Sequence, residues 1–147
     1  MANATQWSAL SSGTDALTTQ LDSLSNGSYS AVGAEIDNTT ARELYINAEL
    51  TVDFGSAPST GGYVGLYLLT ALDGTNYPDG GGAVAPASNL LVGNFPLRAT
   101  TDAQRVHLYG ITLPPGKCKL VAYNGSGQAF PSSGSKVTIF TNSIEVA

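Results

Sequence analysis

Residues 43–54, ELYINAELTVDF, alternate without a break. Leu44, Ile46, Ala48, Leu50, Val52 and Phe54 fall on one side, and Glu43, Tyr45, Asn47, Glu49, Thr51 and Asp53 on the other. Period-2 alternation of this kind predicts a long strand with one buried and one wet face. GSAPSTGG then breaks the pattern, and YVGLYLLTAL follows, apolar on both sides: Val64, Leu66 and Leu68 on one, Tyr63, Tyr67 and Leu69 on the other. A strand apolar on both faces is central in its sheet or has its outer face covered by a partner.

Further strands are predicted at SYSAVGAEI, NLLVGNFPLRA, QRVHLYGITL, KCKLVAY and KVTIFTNSIEV. TTDA separates the third of these from the second, Pro114, Pro115 and Gly116 make a turn before the fourth, and NGSGQAFPSSGS forms a loop before the last. About seven or eight short strands with turn signals between them predict an all-β chain, an antiparallel β-sandwich of jelly-roll-like form. The body is expected to span residues 28–147.

Residues 1–27 read differently. TQWSALSSGTDALTTQLDSLSNGS spaces Leu17, Leu21 and Leu24 by four and three, with Thr14 or Asp15 able to cap a short helix. So few apolar groups cannot fold alone, which predicts an N-terminal arm that orders on a partner with Trp7 as its anchor. A frayed or locally packed terminus is the alternative.

Composition adds a surface to this outline. Only 12% of residues are charged while 42% are hydrophobic, and Gly numbers 17. A neutral polar surface can meet another protein without stripping water from many ions. The net charge of −5 is divided unevenly: nine acids against Arg42 alone up to Asp79, then Asp102 and Glu145 against five basic residues. That split favours head-to-tail contacts between copies or an oriented dock on a charged host. No Lys/Arg cluster is dense enough to follow a phosphate backbone, so nucleic acid is not an expected partner. No apolar run approaches membrane-spanning length and no signal-peptide pattern opens the chain, so no membrane is expected and synthesis is placed in a cytoplasm.

Reactive chemistry is sparse. His107 is the only histidine and Cys118 the only cysteine, too few for a zinc site, and no cofactor is expected. Cys118 sits in an apolar alternation and reads as a small hydrophobe. Alternation puts His107 beside Arg105 and Tyr109 on a solvated face. No G-x-S-x-G elbow is present, so no catalytic residue is assigned. DGTNYPDGGG, from Asp73 to Gly82, offers a calcium ion oxygen donors at Asp73, Thr75, Asn76 and Asp79, but Pro78 interrupts it, no Glu closes it and no helices flank it. The long segment between strands instead reads as a contact loop, with Tyr77 and the Val84–Pro86 stretch as its apolar content.

Three motifs carry a family resemblance: LYLLTALDGTNY, the LPPGK turn and the NGSGQAFP loop. Between about Ala31 and Val146 the chain resembles the jelly-roll cement, or decoration, proteins of tailed bacteriophages. The resemblance implies a non-enzymatic virion protein on the capsid exterior, made in the bacterial host cytoplasm. It further implies binding to the major capsid protein and self-association as a dimer or trimer. No catalytic residue carries over from it. From the residues themselves, the candidate protein contacts are Trp7, Leu17, Leu21, Leu24, Tyr63, Tyr67, Asp73, Tyr77 and Asp79, the aromatics first because they dominate interface energetics. A tail or fibre component and a carbohydrate-binding β-sandwich module are the rival readings; an aromatic row would mark the second.

Overall fold

The computed structural model describes residues 4–146 and is all-β and antiparallel throughout. Ten strands run in chain order: β1 (Thr5–Trp7), β2 (Thr14–Leu17), β3 (Ile36–Asp37), β4 (Tyr45–Val52) and β5 (Tyr63–Ala71), then β6 (Leu91–Pro96), β7 (Gln104–Thr112), β8 (Lys117–Gly125), β9 (Lys136–Asn142) and β10 (Ile144–Val146). Sheet 1 has the order β2-β9-β4-β7, sheet 2 the order β3-β8-β5-β6, and β1 with β10 forms a separate ribbon.

One rule generates the pairing. β5 pairs β6, β4 pairs β7, β3 pairs β8, β2 pairs β9 and β1 pairs β10. The chain is thus a single long hairpin, closed first at β5·β6 and last at β1·β10. Wrapped around a core, it is stitched by the added pairs β4·β9 and β5·β8. This is the topology of a jelly-roll sandwich.

The alternation read along the chain sets the core. Ile46, Leu50, Val52, Val137 and Ile139 of sheet 1 face Val64, Leu66, Phe95, Leu120 and Ala122 of sheet 2, and all are buried. Phe54 and Phe130 close one end, their rings 5.3 Å apart. Cys118 is buried among these apolar residues, and burial pushes its thiol up to about 11.

Three buried amides lock the loops that cross between sheets. Asn38 donates to the carbonyls of Glu43 and Pro114 and accepts from the Glu43 N–H, tying the β3–β4 loop to the LPPGK turn. Gln104 makes paired bonds with the backbone of Arg98 at 2.8 and 2.9 Å. Asn124 donates to the carbonyls of Leu24 and Gln128, holding the NGSGQAFP loop against the N-terminal segment. Each amide has partners for both its oxygen and its nitrogen, or bonds that close its loop, as burial of a polar group requires.

The N-terminal segment differs from its expected form. No α-helix forms over Leu17, Leu21 and Leu24; the chain makes β1, β2 and one 3₁₀ turn at Thr19–Leu21. β2 adds to the edge of sheet 1 through β9, Leu17 and Leu21 are wholly buried, and Leu24 packs against the core. The break at residue 27 therefore separates no detached arm. The spacing of four and three was satisfied by a strand end, a 3₁₀ turn and a loop, each aiming a leucine inward.

Candidate functional site

The outer face of each sheet carries an aromatic group, and the two are built differently.

On sheet 2, odd-numbered residues of β5 and β8 point outward. Leu69 and Val121 do so and are nonetheless buried, and the loop of residues 72–88 brings Gly81 against Val121. Gly82 N–H donates to the Ser30 carbonyl at 2.7 Å, Gly81 closes a tight turn with Val84, and Pro86 is buried. Tyr77 donates to Glu35 Oε2 at 2.6 Å, Lys117 pairs with Glu35 at 3.0 Å, and Lys119 lies 4.3 Å over the Tyr77 ring. Burial and the bond to Glu35 push the Tyr77 phenol up to about 12; Tyr77 and then Lys117 hold the Glu35 carboxyl below its usual range.

Of the loop's apolar content, Pro86 is buried and Tyr77 half-buried against its own molecule, while Leu72 and Val84 remain exposed. Asp73 caps its entry: one oxygen accepts from the N–H groups of Thr75 and Asn76, and the other accepts from the Asn76 amide at 2.7 Å. These donors, the Asn76 N–H foremost, hold the Asp73 carboxyl down at about 2. Asp79 is exposed on the loop, and the two aspartates belong to no metal-ligating cluster among the described residues.

Past the loop's reach the sheet 2 face is open, and there the tyrosines gather. Tyr63 and Tyr123 rings are 6.0 Å apart, Tyr123 and Tyr29 4.9 Å, Tyr29 and Tyr67 5.8 Å. Gly125, cross-strand from Tyr63, lets that ring lie on the sheet: a Cβ there would stand 3.0 Å from it. Tyr63 is exposed and the other three are half-buried. Burial first, then the neighbouring phenols, raises the Tyr67 hydroxyl above its usual range.

On sheet 1 the outward side chains of β4, β7 and β9 meet the β1·β10 ribbon. Opposite Asn47, β7 carries two residues, Tyr109 and Gly110, where one would continue the register. Gly110 takes φ +65°, a left-handed conformation that favours glycine. Tyr109 keeps the outward side by alternation with His107 and is 75% exposed, while the bulge returns Ile111 to the buried side opposite Ile46. Trp7, 63% exposed, leans on Tyr45 with ring centroids 5.3 Å apart. Trp7, Leu10, Tyr45 and Tyr109 wall a groove of about 400 Å³ floored by Asn47 and Asn142. It continues past Tyr109 toward His107, which meets Glu49 Oε2 at 2.7 Å, with Arg105 at 3.5 Å from the other oxygen.

Of the nine candidate contacts, Trp7, Tyr63 and Tyr67 belong to these two faces. Leu17, Leu21 and Leu24 serve the core, Asp73 and Tyr77 hold a loop in place, and Asp79 is exposed on that loop and is part of neither face's aromatic group. The residues that complete the faces, Tyr29 and Tyr123 on one and Tyr45, Asn47, Tyr109 and Asn142 on the other, were not singled out. Alternation does place Tyr45, Asn47 and Tyr109 on wet faces, but nothing local joins them to Trp7.

No family model and no curated protein matches the chain. Among the described residues, no helix is long and apolar enough to cross a membrane.

Proposed function

We propose that this protein is a structural component of a tailed-bacteriophage particle, a cement protein that binds the outside of the major capsid shell and stabilises it. The reading rests on the motif resemblance and is supported by the form of the sheet 2 face. The observation that carries it is the open run of four touching tyrosines. Their neighbours on that face, Gly65, Gly125, Leu91 and Asn94, include no charge. Tyrosine brings large contact area with few rotatable bonds, and an uncharged surround lowers the desolvation cost of docking. A rigid sandwich beneath the rings keeps that surface preformed.

In this reading the sheet 2 face lies on the capsid. Self-association as a dimer or trimer would multiply a modest contact into stable attachment. The protein works by adhesion and has no catalytic role.

The test is occupancy. Purified protein added to heads assembled without it is expected to co-sediment with them saturably and to raise their thermal disruption temperature. Tyr63→Ala is expected to lower the affinity at least tenfold while leaving the fold's circular dichroism intact. Recovery of the protein only in purified tails, or no saturable binding to heads, overturns the reading.

A further inference from the structure

We infer that the Trp7–Tyr109 groove on the outer face of sheet 1 is a binding site for a neutral oligosaccharide. It lies on the sheet opposite the tyrosine face and so stands independently of the capsid reading.

Two amides, Asn47 and Asn142, floor the groove. The Gly110 N–H can only donate, and it meets Asn47 Oδ1 at 3.1 Å, which settles which end of that amide is oxygen. Asn47 Nδ2 is then a donor, and the atom of Asn142 it meets at 2.9 Å must be the oxygen. The Asn142 nitrogen is left with no acceptor among the described residues, although the residue is only 7% exposed. It is not sealed in, for Asn142 lines the groove. A nearly buried amide with unused N–H bonds calls for an acceptor from outside.

The walls say what kind of molecule brings that acceptor. Trp7, Tyr45 and Tyr109 offer ring faces, and no charged side chain lines the larger part of the groove. A phosphate, carboxylate or ammonium ligand would find no counter-charge there. An extended peptide is also disfavoured. Peptides dock on sheets by hydrogen-bonding a free edge, whereas the floor of this groove, Asn47 and Asn142, lies on β4 and β9, which both have partners on either side; the edge strand β7 supplies only the Tyr109–Gly110 wall.

A saccharide meets both conditions: its C–H faces stack on aromatic rings and its hydroxyls accept from side-chain amides. Beyond Tyr109, Glu49 and His107 offer further polar groups to an adjoining sugar ring.

Trp7 is the only tryptophan, so its emission reports on the groove alone. The experiment screens the full chain on an array of neutral and acidic oligosaccharides and a library of extended peptides. Hits are then titrated against Trp7 fluorescence. The expected result is a saturable emission shift with neutral glycans. Tyr109→Ala, which removes a ring that is 75% exposed and lies outside the core, should weaken binding at least tenfold. Asn142→Asp, which keeps the oxygen that Asn47 needs and removes the free donors, should do the same. Should that variant fold poorly by circular dichroism, Tyr109→Ala decides alone. Tyr63→Ala should bind glycans like the parent chain.

The inference is overturned if no neutral glycan gives a saturable shift, if binding survives Tyr109→Ala, or if only acidic glycans or peptides bind. None of these results bears on attachment to heads.

Discussion

Asp73 shows how one side chain can serve a fold while resembling a ligand. Its two oxygens accept three hydrogen bonds from Thr75 and Asn76, and the carboxylate is held ionised down to about pH 2. A carboxyl whose folded pKa lies below its unfolded value contributes stability above the unfolded pKa, near 4, and loses it as pH falls toward 2. Asp73→Asn keeps one acceptor and removes the ionisation. The decline in melting temperature between pH 4 and pH 2 is therefore expected to be shallower in the variant than in the parent; equal slopes would show that the turn draws nothing from the charge. DGTNY announced an oxygen-rich loop, and that much was legible in the residues. That the oxygens would be consumed by their own backbone was a matter of how the loop folds back on sheet 2.

At the scale of the element, the bulge in β7 matters most. QRVHLYGITL alternates well enough to mark a strand, and its wet face holds Arg105, His107 and Tyr109 as expected. The extra residue opposite Asn47 has no signature beyond the glycine at 110. Its φ of +65° meets no obstruction, so the cost of a side chain there is conformational. Gly110→Ala is expected to lose about 1–2 kcal/mol of stability in chemical denaturation. It should also blunt any Trp7 fluorescence response, because the bulge holds the Gly110 N–H on Asn47 Oδ1 beside Tyr109. The β5 strand makes the converse point. Apolar residues on both of its sides correctly marked it as central, with β8 and β6 on either side, and on its outer face Tyr67 packs on Tyr29 of the same chain.

For the whole molecule, the nested hairpin means that the first strands are laid against the last. β1 and β2 pair β10 and β9, and Leu17 and Leu21 reach the core from a segment that looked too poor in apolar groups to fold. A chain beginning at residue 28 is expected to lose cooperative thermal unfolding, since it leaves β9 an open edge and two leucine-sized voids. Each void alone is worth about 2–5 kcal/mol, against a total stability of about 5–15 kcal/mol. A sharp calorimetric transition from the truncated chain would restore the detached-arm description.

Hydrophobic alternation is a local property, and from it alone came the all-β class, the main strands of the body and the inward and outward faces of β4, β5 and β7. Turn chemistry placed most of the breaks, again because a turn is decided by neighbouring residues. Pairing is different: a strand's partner lies up to the whole chain away, and its register depends on every other pair in the wrapped hairpin. Only the tertiary structure could therefore turn a short leucine-spaced stretch into β2 and a 3₁₀ turn, and gather four tyrosines on one face. It alone brought Trp7 to Tyr45 and left Asn142 with donors unspent, for these depend on distance in space across a sheet.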